Sequence, residues 1–340
     1  MKLSLDQIKS ITFGAVRVEE EADGIHFYRF TKEQEELYRT MREKSLLVKT
    51  FATSGICFRF RTDSAILSFC GQTTPGSTRS YFSFELFVDG EKIGGVDNFV
   101  PESYPKGKPN VPFPLGEFSA EFELGEGEKV VELYFPWSVS AALRDVILSD
   151  GATVTPLPRE KKFLIFGDSI TQGYDALYPT NKPMTRLAAH LGAEEINKAI
   201  GKEIYFPELA DTKENFVPDL IFVTYGSNDW NFSTKEEFDL HCQTFYDNLK
   251  KNYPDVPTFM ITPVWRKDQV ESRPLGPIES VTEFLKKIAE EDKNRHLIFG
   301  IDLVEPKEEL FADLRLHPND EGFSFYYENL LSQFEAYGVF

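Results

Sequence analysis

From about residue 50 to residue 150, apolar and polar side chains alternate with a period of two. Ile56, Phe58 and Phe60 alternate with Cys57, Arg59 and Arg61, and Ala65, Leu67 and Phe69 alternate with Ile66 and Ser68. Phe82, Phe84, Leu86 and Val88 run up to Asp89-Gly90, and Glu91-Lys92-Ile93 returns; Val131, Leu133 and Phe135 form another such face. A period of two is that of half-buried strands, and Asp-Gly between two of them signals a two-residue hairpin turn. Short strands punctuated by Gly and Pro turns predict a β-sandwich, jelly-roll-like in character.

The second half has a different rhythm. Apolar runs at 163–166, 220–224, 258–261 and 297–301 read as strands. Between them lie patterns with spacings of three and four, such as Phe238, Cys242, Phe245 and Leu249, or Val281, Phe284, Leu285 and Ile288. That spacing buries one face of a helix. Strands alternating with helices predict an α/β domain with a parallel sheet between helical layers. The change falls at Gly151-Ala152-Thr153-Val154-Thr155-Pro156-Leu157-Pro158, giving a β-sandwich domain over 1–152 and an α/β domain over 159–340. So short a connector predicts that the two domains pack together. There is no internal repeat and no low-complexity segment.

Charge and composition narrow the partners. A formal net charge of −18 disfavours nucleic acid and anionic membrane surfaces, because phosphate contacts need concentrated Lys and Arg. The first residues carry no apolar region of secretory type, and no apolar run is long enough to span a bilayer, so a cytoplasmic location is expected. Cys57, Cys70 and Cys242 are scattered, which fits reduced, buried thiols rather than disulfides. No His/Cys cluster has metal-ligand spacing, and no metal or cofactor is implied. The oligomeric state is not legible.

The chemistry is concentrated in three islands. Phe163-Leu164-Ile165-Phe166-Gly167-Asp168-Ser169 is an apolar strand that ends in small residues and a serine, with Gly173 close behind. A nucleophilic serine needs that setting, since a sharp strand-to-helix turn exposes the hydroxyl and aims its backbone N–H at the group it attacks. Leu220-Ile221-Phe222-Val223-Thr224-Tyr225-Gly226-Ser227-Asn228-Asp229 is a second strand ending in an amide and a carboxylate. Such an amide either donates to a developing oxyanion or simply closes a turn. The third island, Asp313-Leu314-Arg315-Leu316-His317-Pro318-Asn319-Asp320-Glu321-Gly322, places a histidine in a loop ahead of a helix. Among His26, His190, His241, His296 and His317, His317 alone is followed directly by Pro and turn residues.

In this order the islands resemble the SGNH hydrolases, also called the GDSL lipase and esterase superfamily, over roughly residues 160–340. The resemblance implies Ser169 as nucleophile and its N–H as the first oxyanion donor. Asn197-Lys198-Ala199-Ile200-Gly201 corresponds to the family's second block, with the Gly201 N–H as a further donor. Asn228 corresponds to the third donor and His317 to the base. One departure stands out: the family's aspartate lies three residues before the histidine, where this chain has Leu314, and Asp313 is one residue further upstream. Two readings follow, a displaced triad through Asp313 or a Ser–His dyad whose ring is held by a backbone carbonyl. Dyads of that kind occur in carbohydrate esterase family two, which this chain also resembles in having a β-sandwich ahead of the hydrolase domain. That sandwich is either a glycan-binding module or cleft wall, or a structural appendage.

The resemblance implies a serine esterase that removes short acyl groups, acetyl above all, from carbohydrate hydroxyls. The alternatives are a lipase- or thioesterase-like hydrolase and, from another class, a glycan-binding protein with an inactive site. Trp230, Trp265 and Arg266 fall at strand ends and are candidate substrate contacts, with Tyr174 and Tyr205 nearby; ordinary packing is the competing explanation for each aromatic ring.

Overall fold

The computed structural model describes residues 1–104, 107, 108 and 110–339. Two antiparallel sheets form the first half. One runs Thr12–Phe13, Cys57–Thr62, Lys129–Tyr134, Ser83–Val88, Glu91–Asp97, with the connector strand Thr155–Pro156 also pairing with Cys57–Thr62. The other runs Arg17–Glu21, Gly24–Tyr28, Val139–Leu148, Ile66–Pro75, Glu117–Glu123. Their inner faces share one core, in which Phe27 and Phe58 from opposite sheets both meet Phe135 edge-on. The predicted hairpin is present, and both its turn residues are left-handed, Asp89 at φ +50° and Gly90 at φ +85°. That pairing of positive angles matches the right-handed twist of the flanking strands.

The second half is a parallel sheet in the order Ala193–Asn197, Lys161–Gly167, Leu220–Thr224, Thr258–Ile261, Arg295–Ile298. The last strand begins two residues before the sequence reading placed it and gives way at Gly300 to a 3₁₀ turn. Helix Lys235–Asn252 buries Phe238, Cys242, Phe245 and Leu249, the predicted stripe, behind a Thr234–Glu237 capping box. Helix Glu279–Glu290 buries Val281, Leu285 and Ile288, with Phe284 half-buried beside them. The three thiols are unpaired: Cys57 and Cys242 are buried and Cys70 half-buried. Among the described residues no helix is long and apolar enough to cross a membrane.

The first half also contains helices that strand periodicity did not announce: Leu5–Ile11, Lys32–Met41 and Lys44–Thr50. Two of them start at capping boxes, Ser4/Gln7 and Thr31/Gln34, which are signals of helix onset in the sequence. The stretch around the second and third helices does not join the sandwich core. Phe30, Tyr38 and Leu46 pack with Ile200, Phe206 and Trp230 on one face of the parallel sheet. The two halves therefore interpenetrate, and residues 29–50 complete the core of the second.

Candidate active site

Strand Lys161–Gly167 ends at Asp168, whose side chain caps the short helix Ser169–Gln172 by accepting the Ile170 N–H at 3.0 Å. Burial raises this carboxyl to about 6, against that hydrogen bond and the nearby His317. Ser169 opens the helix, so its own N–H has no intrahelical partner, and it has no acceptor among the described residues. The helix stops at Gly173, where φ is +119°. Gly167 allows the close approach of the next strand, since a Cβ there would collide with Thr224 Oγ1.

Ser169 Oγ lies 2.9 Å from His317 Nε2, and His317 Nδ1 lies 2.7 Å from Asp313 Oδ2. The contact with Asp313 takes the place that the dyad reading gave to a backbone carbonyl. Leu314 explains how a carboxylate four residues upstream reaches the ring. Its backbone is left-handed, φ +56°, and the loop folds back so that Asp313 Oδ1 accepts the N–H groups of Arg315, Leu316 and His317 at 2.9, 2.7 and 3.1 Å. The loop's base is closed by a bridge between Phe311 and Pro318 and by the Ala312 N–H to His317 carbonyl bond of 2.8 Å. Burial works to raise the Asp313 carboxyl, but the hydrogen bond and charge of His317 and these backbone donors outweigh it and hold it well below the usual range.

A second carboxylate, which the sequence reading missed, faces the same nitrogen. Asp175 Oδ2 is 3.6 Å from His317 Nδ1, and the residue is buried with left-handed φ of +72°. Arg79, from the sandwich half, grips it with two bonds of 2.6 and 2.9 Å. The Thr78 N–H donates to Tyr174 Oη at 3.2 Å, and the Tyr174 ring stacks on His317 at 5.5 Å. The Gly107 N–H donates to the Ala312 carbonyl at 2.8 Å, beside the histidine loop. The sandwich half is thus a wall of the site. Although Asp175, Asp313 and His317 could together reach a cation, Asp175 is committed to Arg79 and Asp313 to the imidazole and three N–H groups. The other such grouping among the described residues, Glu21, Asp23 and His26, sits on the outer hairpin, where His26 pairs with Asp23.

The oxyanion candidates fare unequally. Asn228 is buried in the first turn of helix Ser227–Phe232, and its Nδ2 donates to the Glu203 carbonyl at 3.0 Å, leaving the second amide hydrogen available. Gly201 lies close by, but its N–H already donates to Gln172 Oε1 at 2.8 Å, so the assignment to that group needs correction. Its lack of a side chain serves another purpose: a Cβ would sit 2.5 Å from Tyr174 Oη. Asp229 accepts the Tyr205 and Gly226 N–H groups, each at 3.0 Å, and burial raises it to about 7. It is a scaffold for the Asn228 turn.

Trp230 and Arg266 do not line a cleft. Both are fully buried; the Trp230 indole N–H donates to the Gly276 carbonyl at 2.8 Å, and the Arg266 guanidinium lies 4.7 Å above its ring. Arg266 is further held by Asp268 at 2.6 and 3.0 Å, the Ser227 carbonyl at 2.9 Å and Asn231 Oδ1 at 3.2 Å, which engage four of its five N–H groups inside the core. Tyr205 is likewise core, bonded to Tyr246. Trp265 is half-buried with its ring 4.9 Å from Phe311. Phe311 in turn lines a cavity of about 290 Å³ beside the histidine loop, together with Tyr104, Leu177, Leu314, Asp320 and Asp175. Burial raises the Asp320 carboxyl to about 6.

The model of the GDSL-like lipase/acylhydrolase family matches residues 165–324, the span that holds Ser169, Asn228 and His317. No curated protein sequence matches the chain. Among solved structures, the salicylyl-acyltransferase SsfX3 from a tetracycline biosynthetic pathway superposes with a TM-score of 0.78 at 22% identity, covering 96% of this chain and 94% of its own. A provisionally described GDSL-like lipase from Bacteroides ovatus gives 0.74 at 18% identity, covering 97% and 96%. A family two carbohydrate esterase from Clostridium thermocellum, solved with cellohexaose, gives 0.63 at 16% identity, covering 85% and 94%. The sandwich followed by a parallel-sheet domain is therefore a two-domain fold shared with these proteins.

Proposed function

We propose that this ester-hydrolysing enzyme, whose residues 165–324 match the model of the GDSL-like lipase/acylhydrolase family, removes short acyl groups, acetyl above all, from carbohydrate hydroxyls. Ser169 Oγ attacks the ester carbonyl while His317 Nε2 takes its proton. Asp313, on the far nitrogen, fixes the tautomer and stabilises the imidazolium. The Ser169 N–H and the free amide hydrogen of Asn228 donate to the carbonyl oxygen as it becomes an oxyanion. The imidazolium returns its proton to the departing sugar oxygen, leaving an acyl-serine. A water that gives a proton to His317 then attacks the acyl carbon, and collapse of that adduct frees the acid and restores the serine.

The observation that carries the substrate class is the cavity beside Asp175. Tyr104, Leu177 and Leu314 give it apolar lining, and Asp320 and Glu321 offer acceptors for hydroxyl groups. Comparing aryl acetate with aryl octanoate, followed by a mass-spectrometric screen of acetylated oligosaccharides, tests the proposal. Preference for acetate with release of acetyl from a sugar supports it; octanoate turned over as well as acetate points to a lipase- or thioesterase-like enzyme. Binding without turnover would leave a glycan-binding protein.

A further inference from the structure

With the Gly201 N–H spent on Gln172, the turn that contains it still offers one group. The Ile200 carbonyl accepts the Glu203 N–H at 3.0 Å, closing a four-residue turn whose third residue, Lys202, has φ of +76°. A positive φ at the third position is the mark of a type II turn, in which the central peptide is flipped relative to the commoner type I. That central peptide joins Gly201 to Lys202. It is trans, as are all the peptide bonds described, so the Gly201 carbonyl and the Lys202 N–H point in opposite directions.

Lys49 fixes which direction each takes. This buried side chain reaches across from helix Lys44–Thr50, and its Nζ donates to the Gly201 carbonyl at 2.5 Å. Arg29 pins the preceding carbonyls, Asn197 and Ala199, at 2.7 and 2.9 Å. The Lys202 N–H therefore faces away from Lys49, and it has no acceptor among the described residues. The neighbouring groups place that turn in the active site. The carbonyl of Glu203, at the end of the turn, takes Asn228 Nδ2, and Gly201 rests against Tyr174, which stacks on His317. The Lys202 side chain is not involved, since its Nζ pairs with Glu43 at the surface. A lysine in a left-handed turn position carries backbone strain, which persists only where the surroundings over-determine it.

We propose that the Lys202 backbone N–H is the third donor to the oxyanion, and that Lys49 is the positioning residue that aims it. The assignment rests on the ester hydrolysis proposed above. Replacing Lys202 by the corresponding α-hydroxy acid, which exchanges N–H for oxygen and keeps the side chain, should lower kcat on aryl acetate by about a hundredfold with KM nearly unchanged. Lys49→Met should lower kcat about tenfold, again without a KM effect, and Lys49→Arg should recover most of it, because a cationic donor can still hold the Gly201 carbonyl. A folded Lys202 ester variant with wild-type kcat, or a loss confined to KM, overturns the donor assignment; unchanged kcat in Lys49→Met overturns the positioning role. Ser169→Ala measured alongside keeps the two readings apart. If it is inactive while the ester variant is fully active, only the donor assignment falls, whereas an active Ser169→Ala overturns the hydrolytic mechanism itself.

Discussion

At the scale of single residues, the site depends on groups whose value lies in direction as much as identity. Asp313 meets Nδ1 at 2.7 Å and is anchored by three N–H groups, so Asp313→Asn should cost on the order of 10⁴ in kcat through loss of tautomer control, in a protein that still folds. A loss of tenfold or less would return the site to a dyad. Asn228→Ala should lower kcat by roughly 10²- to 10³-fold with little change in KM, because the amide acts only once charge has reached the oxygen. Lys49 predicts a pH effect. Burial, helped by the Lys202 charge and opposed by Glu203 and Glu43, lowers its ammonium to about 8, while Arg29 sits on its own carbonyl. As pH rises through 8 the cation is lost, its hold on Gly201 weakens, and kcat should fall; in Lys49→Arg the alkaline limb should move upward. Stability runs the other way. The folded value lies below the ordinary 10.5, so the unfolded chain binds more protons between about 8 and 10.5 and this group's contribution to stability grows across that window.

At the scale of elements, the short helix Ser169–Gln172 aims the nucleophile, and Gly173 sets where it ends. A side chain at Gly173 would meet Trp137 Cγ at 2.9 Å and collide with the Lys182 stem, in a backbone conformation with φ of +119° that L residues avoid. Gly173→Ala should therefore destabilise the fold by at least about 1–3 kcal/mol and displace Ser169. Denaturant unfolding and kcat measured together check this, and a variant normal in both would show that the turn tolerates a Cβ. The histidine loop works in a similar way: Leu314 takes the left-handed conformation, and the Phe311–Pro318 bridge holds the ends together.

At the scale of the whole molecule, the first half is a component of the active site. Arg79 and Asp175 form a buried pair across the two halves, and Trp137 Nε1 donates to the Ala176 carbonyl at 2.8 Å in the same seam. Arg79→Met would leave a buried carboxylate unpaired next to His317. It should cost about 3–5 kcal/mol in stability and impair turnover, measured by urea unfolding and by kcat at matched temperature. Wild-type stability in that variant would mean that Asp175 is solvated or protonated without its partner. The core contributed by Phe30, Tyr38 and Leu46 explains why residues 29–50 belong physically to the second half.

Much of this organisation was written locally. Alternation such as Phe82, Phe84 and Leu86, the stripe from Phe238 to Leu249, and the Asp89-Gly90 turn depend on near neighbours, so sandwich, helices and hairpin could be read directly. Ser169, Asn228 and His317 were legible because strand-end and loop signals flank each of them. The capping boxes at Ser4 and Thr31 are local signals of the same kind, set among stretches of strand periodicity. What the sequence left open was orientation. A strand-end position brings Trp230 and Arg266 near the site, but Gly276, Asp268 and Ser227, distant or turned back, decide that they face the core. Asp313 reaches its histidine through the left-handed Leu314, and the Gly201 N–H is taken by a glutamine 29 residues away. Lys49, Arg79 and Asp175 enter through contacts between residues 152, 96 and 142 positions apart, geared by packing that no local pattern encodes: Lys49 with Gly201, Arg79 with Asp175, and Asp175 across to His317.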